Sequence, residues 1–198
     1  MTDGAFPAII SHNDMSLIKN IRKAFYNRAL QRQLKAKAAQ ERPAISFQSA
    51  VRIGLLFDAT DLDERETALA YANSLKERGK KVKMLGFFDN KLDNPNFTFP
   101  HFNRKDIDWA ERPTGKAVET FLQQKMDIFI HLATKTTSYT EYIAALANAP
   151  MRVGPCTDQT FSYEVMIDLA GPQTLEAFIK EAEKILKITN TRHEAAKI

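Results

Sequence analysis

Apolar residues fall in short, nearly unbroken runs at 51–57, 82–88 and 127–132, with a shorter one opening at 151 and a last one at 163–169. A strand covered by helices on both faces has no polar side to display, so such runs predict buried strands of a parallel sheet. Residues 103–109 predict one more short strand. Between the runs the period changes. Ala68, Leu69, Ala72 and Leu75 recur at helical spacing, as do Tyr142, Leu146 and Ala149, and as do Leu175, Phe178, Ala182 and Leu186. This predicts helices over 62–78, 138–149 and 175–188, with another opening at Pro113-Thr114 and running to 124.

The boundaries carry their own chemistry. Asp61 followed by Glu64 suits the first turn of a helix, and Gly79 suits the residue just past its end. Ser138 followed by Glu141 reads as a capping box, and Pro150 ends the helix that Ser138 starts. Strand, helix and strand joined this closely demand a right-handed parallel crossover. The expected fold class is α/β. It is a three-layer, Rossmann-like domain over 51–188 with a mainly parallel sheet of five or six strands, preceded by a basic N-terminal helix.

That helix is where charge changes the picture. The chain has 28 basic and 24 acidic residues, a net +4. Eight of the basic residues lie between Lys19 and Arg42 against the single acid Glu41, so the rest of the chain is mildly acidic. Nothing in 16–40 breaks a helix, and Leu17, Ile18, Ile21, Phe25 and Ala29 share a third of the helical wheel. Arg28 and Arg32 intrude on that face, while Leu30 and Leu34 fall on the other side. The expected organisation is a disordered 1–14, a basic amphipathic arm over 15–42, a linker over 43–50, the domain, and a polar tail over 189–198. The arm has three readings. Its apolar face docks on the protein's own body with the basic side in water, or its cations release counterions from RNA, or it lies in the plane of an anionic membrane. Lys19, Arg22, Lys23, Arg28, Arg32 and Lys35 are the candidate polyanion contacts.

Chemistry in the body is sparse. Ligands of open parallel sheets bind beyond the carboxyl ends of the strands, where the sequence places Asp58 and the run Thr134, Lys135, Thr136, Thr137 and Ser138. A helix N-terminus among hydroxyls beside Lys135 suits a phosphate or carboxylate, although a capped helix with a solvated turn accounts for the same residues. Asp58, Asp61, Asp63 and Glu64 together suit magnesium. Helix capping accounts for three of them and leaves Asp58 over. His131 sits inside an apolar run and reads as a core residue. The one cysteine, Cys156, has no histidine near it in sequence, and the four histidines lack metal-ligand spacing. No catalytic residue, metal or cofactor is expected. No run approaches the roughly 18 apolar residues of a spanning helix, and the opening residues lack a secretory pattern, so the cytoplasm is the expected setting. Phe97, Phe99, Phe102 and Trp109 are expected to cover a sheet edge or line a partner groove, and the arm or this loop could join two copies.

The basic helix, Ile53-Gly54-Leu55, Asp127-Ile128-Phe129-Ile130, Arg152-Val153-Gly154 and Met166-Ile167-Asp168 together resemble an uncharacterised family of small Bacteroidota α/β proteins. That resemblance implies a bacterial setting but no chemistry. The stretch 139–147 is also similar to the helix body in the carboxyl half of heptosyltransferase-like glycosyltransferases. The turn and histidine those enzymes use are replaced here by Thr136-Thr137-Ser138-Tyr139, and a second nucleotide-binding domain is missing. The expected function is a non-enzymatic binding or adaptor module whose arm meets RNA, a ribonucleoprotein or a membrane. The alternative is a protein binding a nucleotide or sugar-phosphate, or a degenerate glycosyltransferase-like enzyme.

Overall fold

The structure, a computed structural model, describes residues 21–32, 45–93, 96–159 and 161–195, with side chains described as far as 188. Six strands form one all-parallel sheet. They are β1 (Arg52–Asp58), β2 (Lys81–Phe88), β3 (His101–Asn103), β4 (Ile128–Leu132), β5 (Met151–Pro155) and β6 (Val165–Ile167), in the order β3-β2-β1-β4-β5-β6. The helices are α1 (21–32), α2 (Leu62–Glu77), α3 (Lys116–Gln123), α4 (Ser138–Leu146) and α5 (Leu175–Ala195).

Side chains alternate across each strand, and both sides here are buried. Ile53, Leu55 and Phe57 of β1 join Ile128, Ile130 and Leu132 of β4 under Ala72 and Leu75 of α2 and Phe178 and Leu186 of α5. Leu56 and Phe129 point the other way, onto Val118 and Phe121 of α3 and Ile143 and Ala144 of α4. The result is a three-layer, Rossmann-like α/β fold, and it explains why the central strands show no polar face. A third cluster lies outside α4, where Leu30 of α1, 1% exposed, packs on Tyr142, Ala145 and Leu146. Helix α4 is therefore covered from the sheet side and from the outside, and seven of its nine residues are buried.

At the amino edge of the sheet, Asp127 joins β1 to β4. Its Oδ2 accepts from the backbone N–H groups of Val51 and Arg52 at 2.9 and 2.8 Å, and its Oδ1 accepts from the Arg52 guanidinium. Burial alone would raise the carboxyl pKa, but the hydrogen bonds from Arg52 and Val51 outweigh it and hold it down at about 2. Residues 45–50, expected to be a linker, form a packed turn. Phe47 is in the core, and Lys80 Nζ donates to the carbonyls of Phe47, Gln48 and Ala50.

Several boundaries differ from those read in the sequence. β3 occupies His101–Asn103 rather than 103–109, because Asn103 accepts from the Lys105 N–H and Asp106 accepts from the Asn103 N–H, closing a 3-10 turn where a strand was expected. The cap of α4 is Thr137, whose hydroxyl accepts from the Thr140 N–H, and not Ser138. Glu141 turns inward to accept from the Thr136 and Thr157 hydroxyls instead of reaching back to the cap. β6 shrinks to three residues, and the backbone of α5 runs on to Ala195.

Replacing Asp127 with Ala should lower unfolding stability at neutral pH by about 2 kcal/mol, since it leaves the Val51 and Arg52 backbone N–H groups without their acceptor. The carboxyl pKa is lower in the fold than its ordinary 3.8. Its contribution is therefore complete above that value and drains as pH falls towards 2. Urea unfolding across this range should show the gap between wild type and variant closing only below about pH 4.

Candidate functional site

The sheet reverses its winding between β1 and β4. Strands added after β1 lie on one side and those added after β4 on the other, and α2 and α4 leave these two strands for opposite faces. Helices departing in opposite directions leave a crevice at the carboxyl ends. It is present as a cleft of about 370 Å³ lined by Asp58, Glu64, Asp89, His131, Thr134, Lys135, Thr137 and Tyr139 among others. Of the six residues nominated as a ligand set, Asp58, Thr134, Lys135 and Thr137 line this one cleft, although 76 positions separate Asp58 from Thr134 in the chain. Thr136 is turned away to donate to Glu141, and Ser138 donates to Glu111 beneath α1.

The acidic wall is tied together by hydrogen bonds within and between the loops after β1 and β2. Asp58 Oδ1 accepts from the Thr60 N–H at 2.8 Å, and Thr60 Oγ1 accepts from the Asp89 N–H at 2.7 Å. Asp89 also pairs with Arg104. Burial pushes the Glu64 carboxyl above its ordinary pKa, helped by the charges of Asp58, Asp61 and Glu176. Asp61 does cap α2, its Oδ1 accepting from the Glu64 N–H at 3.0 Å. Among the described residues no three of His, Cys, Asp and Glu gather closely enough to hold a metal ion. The cleft thus lines one space with carboxylates and Lys135, a set suited to a ligand carrying hydroxyl or amino donors together with an acceptor.

Behind it His131 is 2% exposed, and its Nδ1 shares a 2.7 Å hydrogen bond with the Tyr163 hydroxyl. Burial drives the imidazole pKa down from 6.5 to about 3, so the ring is neutral. Burial also raises the Tyr163 phenol and keeps its proton on. Gly154 of β5 makes the approach of Tyr163 possible, since a Cβ there would lie 2.2 Å from the ring. Sequence spacing gave no sign of Tyr163, because only the β5–β6 pairing brings it under β4.

The second surface is α1. Its buried side is Tyr26 and Leu30, not the Ile21–Phe25 side nominated by aliphatic periodicity. Tyr26 packs on Tyr142 with ring centroids 5.6 Å apart and donates its hydroxyl to the Ser138 carbonyl at 2.8 Å. The reason lies in α4, which offers apolar side chains and an N-terminal-turn carbonyl that a phenol can fill together. Ile21 and Phe25 remain 44% and 54% exposed. Of the nominated cations, Arg22 pairs with Glu111 at 3.3 Å, and Lys23, Arg28 and Arg32 are exposed. Lys19 and Lys35 lie outside the described residues, as do 1–14 and 33–44. In the Phe-rich segment, Phe99 and Phe102 are buried and Phe97 packs on Phe88, but Trp109 stays 58% exposed and meets Phe25 edge-on at 5.2 Å.

The chain belongs to a family of unknown function, DUF6913, which matches residues 22–189 and so takes in both α1 and the α/β body. Comparison with curated proteins gives no match.

Because His131 is neutral in the fold but protonates below about 6.5 once unfolded, its contribution is complete above that pH and is lost as pH falls towards 3. A His131→Gln variant should show a flatter stability profile than wild type between these limits in chemical denaturation. Tyr163→Phe should cost about 1–2 kcal/mol throughout, having removed the partner of a buried ring nitrogen.

Proposed function

We propose that this protein is a non-enzymatic docking module of the bacterial cytoplasm, in which the α/β body holds α1 against itself and turns the helix's basic outer side towards an anionic partner surface. The observation that carries this reading is the way α1 is held. Tyr26 and Leu30 fix it to α4, and the opposite side keeps Arg28 and Arg32 in water beside two exposed apolar residues. A helix kept only to cover α4 has no need of that outer pattern. RNA or a ribonucleoprotein and an anionic membrane are the partner classes that such charge suits, and self-association through the same surface is a further outcome of the test.

A second reading is favoured by the cleft at the β1–β4 crossover. There Asp58, Lys135, Thr134 and Thr137 converge where parallel sheets place their ligands. Under it the protein binds a small polar molecule such as a nucleotide or sugar-phosphate. The likeness of α4 to heptosyltransferase-like enzymes then concerns scaffold and not catalysis.

The two readings part experimentally. A variant with Ala at Lys19, Arg22, Lys23 and Arg28 should lose partner recovery from native lysate, and recovery by wild type should fall steeply with salt. Parallel lysates with and without nuclease report whether RNA is the partner. A ligand of the cleft should instead raise the melting temperature, by about 2.7 kcal/mol of stability at a hundredfold excess over Kd, and Asp58→Ala with Lys135→Ala should abolish the rise. Unchanged recovery by the arm variant would sink the docking reading.

A further inference from the structure

We infer that the partner surface is an anionic lipid bilayer, engaged by a wedge of Ile21, Phe25 and Trp109 with Arg28 and Arg32 beside it. The inference rests on the docking reading above and names the chemistry of its partner. Ile21, Phe25, Arg28 and Arg32 recur at intervals of three or four residues and so share one side of α1. That side is not the one Tyr26 and Leu30 bury. Trp109 comes from a different part of the chain and is brought to this side by a stiff loop. Ile107 bridges Pro113, the Asp108 N–H donates to the Arg112 carbonyl at 3.0 Å, and Asp108 in turn accepts from the Ala110 and Arg112 N–H groups and from the Arg112 guanidinium. An indole held half in water at the tip of such a loop, against an exposed Phe and next to an exposed Ile, is an apolar projection with cations at its side.

That combination matches the boundary between headgroups and acyl chains. Indole and phenyl rings sit at this depth, and arginines meet lipid phosphates. Single-stranded RNA asks for open aromatic faces on which bases stack, whereas Phe25 and Trp109 turn an edge to a face and Ile21 offers none. A second copy of the chain set against this side would bring Arg28 and Arg32 towards like charges. Among the described residues no helix is long and apolar enough to cross a membrane, so the contact is one of lying on the surface.

Trp109 is the only tryptophan, so its fluorescence reports the wedge alone. Full-length protein is mixed with phosphatidylcholine vesicles with and without phosphatidylglycerol, some carrying brominated acyl chains. The expected result is a blue shift and bromine quenching with the anionic vesicles only, weakening as salt rises. Arg28→Ala and Arg32→Ala should each weaken partitioning about fivefold, and Phe25→Ser about tenfold or more. All three sites are exposed, and unchanged melting temperatures confirm that the variants fold. If the protein sediments with RNA but leaves the vesicles and the Trp109 spectrum alone, the bilayer inference is overturned while the docking reading stands. If it binds neither and the arm variant recovers the same lysate partners as wild type, both fall. Quenching equal in neutral vesicles would also overturn it, since the arginines would then have no part.

Discussion

Helix α4 is buried from both sides, and the rest of the structure follows from that demand. Its inner residues Ile143 and Ala144 fill the layer over the sheet, while Tyr142, Ala145 and Leu146 need a second cover. Helix α1 supplies it with Leu30 and the Tyr26 ring, whose phenol finds an acceptor in the Ser138 carbonyl. Leaving three apolar side chains of α4 in water would cost a few kcal/mol, on the order of 1.5–3 for each large one. The cover fixes the rotation of α1 about its axis, and that rotation decides which of its residues face outwards.

The two ends of the sheet are finished differently. At the amino end polar groups satisfy one another. Asp127 joins β1 to β4, and the buried Arg152 of β5 pairs with Glu164 while donating to the Ala144 and Ala145 carbonyls that end α4. Removing Glu164 would leave the Arg152 charge buried and alone, which is far costlier than the pair is stabilising. At the carboxyl end bonds such as that from the Asp89 N–H to Thr60 Oγ1 link the loops after β1 and β2, and they organise the rim of a cleft instead of filling it.

Much of the fold was legible because it depends on local pattern. The strands at Ile53 and Ile130 announce themselves by lacking polar faces, the one at Val82 by its apolar second half, and Asp61 and Gly79 bound α2 as capping chemistry requires. β3 was misplaced because Asn103 and Asp106 prefer a tight turn to a ladder, a competition invisible to hydrophobic periodicity. The cap of α4 was misplaced by one residue because Glu141 has two threonine hydroxyls to serve from elsewhere in the chain. The face of α1 was misjudged by counting aliphatic positions, whereas what α4 accepts is a tyrosine and a leucine. In the cleft, Asp58 and Lys135 could be named separately, but Asp89, and Tyr163 behind the cleft, come into place only through strand order. Trp109 joins Phe25 by a route that no sequence spacing encodes.

The central claim is that α1 is a docked part of the body, held by Leu30 and Tyr26, and not a free basic rod. Amide hydrogen exchange over residues 21–32, in wild type and in Leu30→Asp, tests it most directly. The account predicts slow exchange of α1 in wild type, loss of that protection in the variant, and continued protection of β1 and β4 in both. Exchange of α1 in wild type at the rate of unstructured chain would contradict it.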